Sequence, residues 1–145
     1  MIALDANLLV YAHQSDSEFH EQAKEAIESL RVKTAPWAIP WPCVHEFISV
    51  TTNPKIYKRP ATAEEAVDFV EALMDSPELH FLAESEGYMA KLKLLVTGAK
   101  ITGGRIHDAR IAALCLHHGV RELWSADRDF SKFPQLRVRN PLVAG

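Results

Sequence analysis

The feature that most constrains this chain is a series of very short apolar runs separated by segments of helical periodicity. The runs are Ile2–Leu4, Ala35–Ile39, Leu79–Leu82, Glu122–Trp124 and Leu136–Val138. None is long enough to be a buried helix, so each reads as a strand. Strands alternating with amphipathic helices predict βαβ units and an α/β fold, built on a central, mostly parallel sheet of four to five strands.

The intervening segments carry helix signals. Asp5-Ala6-Asn7 breaks the first run, and Leu8–Ala12 continues as a helix. Ser15-Asp16-Ser17-Glu18 has the form of a capping box. It predicts a helix to about Lys33 with Phe19, Ala23, Ala26, Ile27 and Leu30 on one face. Pro40 and Pro42 suit the entry of a helix bearing Val44, Glu46, Phe47, Ile48 and Val50, which Asn53-Pro54 ends. Thr62–Glu65 is a second capping box, followed by a stripe of Val67, Val70, Leu73 and Met74. Ser85–Thr97 is expected to be helical with Tyr88, Leu92, Leu95 and Val96 inward; His107–His118 likewise, with Ile111, Leu114 and Cys115 inward, stopping at Gly119.

Composition narrows the function classes. The 145 residues suit one domain spanning 1–145, with 48% hydrophobic and 24% charged residues. A net charge of −3 argues against nucleic-acid binding by bulk positive charge, though a bound cation can supply it locally. Cys43 and Cys115 form no zinc-type spacing and read as buried free thiols. The N-terminal residues lack a basic leader pattern, and no apolar run approaches the ~18 residues of a membrane span. A cytoplasmic protein is expected.

Carboxylates follow the strands. Asp5 lies just past the first strand, Asp127 and Asp129 just past the fourth, Asp108 opens a helix, and Glu46 sits among apolar neighbours on the helix after the second. Singly, Asp5 and Asp108 read equally well as helix caps, and Asp127 and Asp129 as turn residues. Together, at the carboxyl edge of a parallel sheet, they would repel one another and call for a cation. Oxygen donors favour Mg²⁺, with Mn²⁺ as alternative. A zinc motif is excluded, because Ser49 stands where His45-Glu46 would need a second histidine.

Four segments then become specific. Leu4–Ala12, Trp41–Phe47, His107-Asp108-Ala109 and Ser125–Phe130 resemble, in order and spacing, the four motifs of PIN domains, and among these the VapC-type toxins of type II toxin–antitoxin pairs. Thr51-Thr52-Asn53-Pro54 and Arg59-Pro60 extend the likeness. The resemblance implies a three-layer α/β/α sandwich and a metal-dependent endoribonuclease. Its acidic tetrad would be Asp5, Glu46, Asp108 and Asp127, with Asp129 as a further metal-binding position and Asn7 and Ser125 in support. It also implies 5′-phosphate and 3′-hydroxyl products, a cognate VapB-type antitoxin and a homodimer.

One or two Mg²⁺ ions held by these carboxylates would lower the pKa of water and stabilise phosphate charge. Lys55, Lys58 and Arg59, with Tyr57 among them, are candidate RNA contacts; Arg110 and Arg128 are candidates for phosphate contact or for pairing with the acids. The helices at 19–33 and 42–52 are candidate walls of an antitoxin groove. Two rivals remain. A haloacid-dehalogenase-type phosphatase would need a second aspartate where Asn7 stands. A non-catalytic RNA- or protein-binding module would need neither Mg²⁺ nor an intact tetrad.

Overall fold

The computed structural model describes residues 1–143. Five strands form one sheet in the order β3-β2-β1-β4-β5, where β1 is Ile2–Leu4, β2 Trp37–Pro40, β3 Leu79–Leu82, β4 Glu122–Trp124 and β5 Val138–Arg139. Every pairing is parallel, with Ala3 opposite Ala38 on one side and Leu123 on the other. Between the strands run α1 (Ala6–His13), α2 (His20–Arg31), α3 (Trp41–Thr51), α4 (Ala63–Leu73), α5 (Tyr88–Gly98) and α6 (Ile106–His117). The steps β1 to β2 to β3 move outward one way and carry α1 to α4 on one face. The return from β3 to β4 carries α5 and α6 on the other, as right-handed crossovers require. The expected α/β sandwich is therefore present, with a wholly parallel sheet.

Cover on both faces explains why the central strands are apolar throughout. Trp37, Ala38 and Ile39 are fully buried, as are Ala3, Leu4 and Leu123. Phe47, Leu8, Leu9 and Leu114 fill the layers above and below. Cys43 and Cys115 are buried free thiols. Among the described residues no helix is long and apolar enough to cross a membrane.

Several boundaries differ from the sequence expectation. The helix expected from Ser15 begins at His20, and Phe19 caps it without a side-chain bond. Ser15–Glu18 is consumed in the reversal between α1 and α2, where Ser17 Oγ accepts from Phe19 N–H at 3.2 Å. A reversal this tight needs those residues as turn, so the capping-box pattern is overridden by tertiary packing. The box at Thr62–Glu65 forms as read. In α4, Val70 and Leu73 face inward as expected and Ala66 joins them, while Val67 and the C-cap Met74 are exposed. The α5 helix starts at Tyr88 after Gly87, whose φ is +92°, and only Leu95 is fully buried. The α6 helix starts one residue early, at Ile106. Leu136 is buried but precedes the last strand, which is Val138–Arg139.

Candidate metal centre

The sheet order reverses between β1 and β4, so their carboxyl ends splay their connections to opposite sides and leave a crevice. Asp5 stands at its floor. Its N–H donates to the Trp124 carbonyl at 3.0 Å, continuing the β1–β4 ladder by one residue. Its side chain then caps α1, with Oδ1 accepting from Ala6 N–H at 2.8 Å. The helix-cap reading and the site reading of Asp5 are thus both satisfied by one carboxylate.

A compact hydrogen-bond net fixes this carboxylate. Ser125 Oγ donates to Asp5 Oδ2 at 2.7 Å and accepts from the N–H of Asp127 at 3.0 Å. Asn7 Nδ2 donates to Asp5 Oδ2 at 3.3 Å and to Ser125 Oγ at 3.2 Å, while Asn7 Oδ1 accepts from Ala126 N–H at 3.2 Å. Asn7 and Ser125 therefore tie the β1 end to the loop after β4. Asp127 caps the following 3₁₀ turn (Arg128–Lys132), its Oδ1 accepting from Asp129 N–H at 2.8 Å.

Asp5, Glu46, Asp108 and Asp127 line one cleft of ≈ 220 Å³ together with Ala6, Asn7, Val10, Tyr11, Val50 and Tyr57. Asp108 lies in the first turn of α6 rather than at its cap. Carboxylate oxygens of Asp108, Asp127 and Asp129 come within 4.8 Å of one another. Asp5 and Glu46 stand outside that triplet but share the cleft with two of its members.

The electrostatics bear the mark of crowding. Burial pushes the Asp5 carboxyl above the usual range, opposed by the hydrogen bonds from Ser125, Ala6 and Cys43. Glu46 is raised first by partial desolvation, then by Asp5, Asp108 and Asp127, although much of its surface remains in solvent. Asp108 is raised by desolvation and then by Asp127, Asp5 and Asp129, with Arg105 acting the other way. Asp5, Glu46 and Asp108 share one cleft and each holds a proton more tightly than usual, a set that a divalent cation would relieve. The donors are all oxygen, the set that hard divalent cations favour.

The other sequence candidates are scattered. Lys55, Lys58 and Arg59 are exposed on the loop after α3, and Tyr57 between them reaches the cleft wall. Arg110 Nε pairs with Glu84 Oε1 at 2.9 Å, away from the tetrad acids. Arg128 is exposed beside Asp127. A separate groove of ≈ 490 Å³ lies between α2 and α4, lined by Ala12, Ile27, Phe69 and Leu73 among others.

Two contacts escaped the sequence reading. Cys43 Sγ donates to Asp5 Oδ1 at 3.4 Å. The signal was available, because Cys43 precedes Glu46 by three residues and so shares its helix face. Arg105 approaches Asp129 at 3.9 Å, and no local pattern announces that contact.

With this geometry in place, the comparisons with known proteins are direct. The chain is 31% identical over 137 residues to Ribonuclease VapC48 of Mycobacterium tuberculosis, covering 94% of each. It is 33% identical over 142 residues to Ribonuclease VapC43 of the same species, covering 98% of this chain and 96% of the relative. The fold matches VapBC2 from Rickettsia felis, solved bound to a promoter DNA fragment, with TM-score 0.70 at 20% identity, covering 97% of this chain and 98% of that one. It also matches the sarcin–ricin-loop-cleaving toxin VapC20 of M. tuberculosis, with TM-score 0.65 at 17% identity over 90% of this chain and 93% of that one. The PIN-domain profile itself spans residues 2–136, and with these relatives it makes the chain a member of the PIN-domain family.

Proposed function

We propose that this chain, as one domain over residues 1–145, is a Mg²⁺-dependent endoribonuclease and the toxin of a toxin–antitoxin pair. The observation that carries the reading is the convergence of Asp5, Glu46, Asp108 and Asp127, from four separate elements, on one cleft at the sheet's switch point. The relatives' names, VapC ribonucleases, support the same activity.

Asp5, Glu46, Asp108 and Asp127, with Asp129 beside them, are the residues that would hold the ion. A divalent ion there supplies Lewis-acid stabilisation of phosphate charge and a lowered pKa for water. The chain's own part is placement. Ser125 and Asn7 hold the Asp5 carboxylate in one orientation, so little reorganisation is needed when substrate arrives. Glu46 and Asp108 line the cleft and accept no side-chain hydrogen bond from the described residues, which leaves their carboxylate oxygens open to an ion. Tyr11, Tyr57, Val10 and Val50 form the apolar part of the cleft wall.

The partner reading follows from the groove. An amphipathic segment of a VapB-type antitoxin fits an apolar floor of Ile27, Phe69 and Leu73 rimmed by Glu21, Lys24, Glu25, Glu28 and Arg31. Homodimerisation, a cytoplasmic location and 5′-phosphate products complete the proposal.

The test is cleavage of total RNA by wild type and Asp108→Asn, each with Mg²⁺, Mn²⁺ or EDTA. Cleavage by wild type with metal, lost in EDTA and in the variant, is expected, with ligatable 5′-phosphate ends. Metal-independent RNA binding without cleavage, retained by Asp108→Asn, would instead identify a binding module.

A further inference from the structure

The cations of this chain are unevenly placed. Between Glu86 and Asp108 there is no acidic residue, while Lys91, Lys93, Lys100 and Arg105 all fall there. In a chain of net charge −3, this stretch of α5 and the turns leading into α6 is purely basic. All four side chains are exposed. Thr97 stands one turn after Lys93, its Oγ1 donating to the Lys93 carbonyl at 2.7 Å. Lys100 follows the C-cap of α5, in the turn that leads on to Arg105. Arg105 ends the run beside the metal centre, 3.9 Å from Asp129 with both side chains more than half exposed (55% and 56%). A pair that loose and wet is worth little, so its guanidinium is free to engage another oxyanion.

Lys100 is itself unusual. Its φ of 52° is the only positive value at a non-glycine position among the described residues. It closes α5: Lys100 N–H donates to the Thr97 carbonyl at 3.4 Å and Ile101 N–H to the Val96 carbonyl at 2.9 Å. That is the bond pair of a Schellman end, where glycine is the residue of least strain. Backbone strain of this kind collects where a side chain is needed. Here the side chain supplies one positive charge between Lys93 and Arg105.

We infer that Lys93, Lys100 and Arg105 form an RNA track, holding backbone phosphates of the substrate strand where it leaves the acidic cleft. This rests on the nuclease reading and names the surface that reading needs. A cleft lined by four carboxylates repels a polyanion, so the flanking phosphates must be held by cations outside it. Charge complementarity selects a phosphate backbone as the occupant.

The probe is a fluorescein-labelled uridine 20-mer. Its binding is followed by fluorescence anisotropy in EDTA from 50 to 200 mM NaCl, and its cleavage in Mg²⁺. The proteins are full-length wild type, Lys93→Gln, Lys100→Gly, Arg105→Gln, their triple combination, and Lys33→Gln as an exposed control on another face. Each single change is expected to weaken binding about 3- to 10-fold at low salt and to lower the salt slope by about 0.7. Lys33→Gln should do neither. In cleavage, KM should rise while kcat holds for Lys93→Gln and Lys100→Gly. Lys100→Gly separates the inference from misfolding: it should raise the urea midpoint, by removing strain, while lowering RNA affinity.

A triple variant with wild-type affinity, slope and KM overturns the track even if wild type cleaves RNA. So does a change in sedimentation mass without a change in RNA binding, which would make this face a protein contact. Wild type that binds with the expected slope and loses it in the triple variant, yet cleaves nothing in Mg²⁺ or Mn²⁺, upholds the track and removes only the nuclease reading. Wild type that neither binds nor cleaves removes both.

Discussion

Ser125→Ala isolates the net that holds the buried carboxylate. Ser125 is 2% exposed and Asp5 4%, and their bond of 2.7 Å is the shortest that Asp5 makes. A hydrogen bond to a charged group contributes about 1.5–3 kcal/mol. Its loss leaves Oδ2 with only Asn7, at 3.3 Å. The N–H of Asp127 also loses its acceptor, but Asp127 is half-buried and water can replace much of that bond. The expected destabilisation is therefore about 2–4 kcal/mol at pH 8. Asp5 has one escape, which is to take up a proton. Its pKa is already raised by burial and would rise further without the Ser125 hydroxyl. The penalty should therefore shrink at pH 5. The assay is urea unfolding in EDTA, where a slope of about 2 kcal/mol/M converts this into a midpoint shift of about 1–2 M at pH 8. Ser125→Thr keeps the hydroxyl and should stay close to wild type. A shift below about 0.3 M, or one equal at both pH values, would refute the claim that this hydroxyl carries the buried charge.

Asp108→Asn should abolish metal-dependent cleavage yet stabilise the metal-free protein, by up to about 1 kcal/mol, since the raised Asp108 pKa reflects desolvation and repulsion with no compensating hydrogen bond; a thermal melt in EDTA reads the sign. The raised carboxylates of Asp5, Glu46 and Asp108 mean that the folded state binds more protons than the unfolded one above pH ~4. That stability is fully present below the ordinary carboxylate pKa and is lost as pH rises through the raised values, so these groups make metal-free protein less stable at pH 7 than at pH 5. Saturating Mg²⁺ should reverse this at pH 7, by about 2.7 kcal/mol at a hundredfold excess over its Kd, and should do much less for Asp108→Asn. Cys43→Ala removes a thiol donor to Asp5 in a fully buried position and should cost about 1–2 kcal/mol, with metal affinity changing less than in Ser125→Ala.

What was legible in the sequence follows from which forces are local. Strand runs and helix stripes are written in neighbouring residues, so Leu79–Leu82, Glu122–Trp124 and the Thr62 box form where they were read. The shared cleft was legible because Asp5 and Asp127 follow strand ends, Asp108 lies in the first turn of α6, and parallel topology sends strand ends to one edge, where mid-helix Glu46 joins them from α3. Failures came where distant contacts decide. Ser15–Glu18 carries a valid helix-start pattern, but the return of α2 onto α1 needs those residues as turn. Arg110 is two residues from Asp108, and two residues along a helix points a side chain about 200° away, which is why it meets Glu84 instead of the acids. The same angular argument locates what the sequence did offer unread: Cys43 and Glu46, three apart on α3, must share a face, so an acid assigned to the cleft brings the thiol with it. A site made of strand ends and helix faces is thus readable one element at a time. The cations that serve it are not, because Arg105 reaches Asp129 only through the packing of α6 beside the loop after β4.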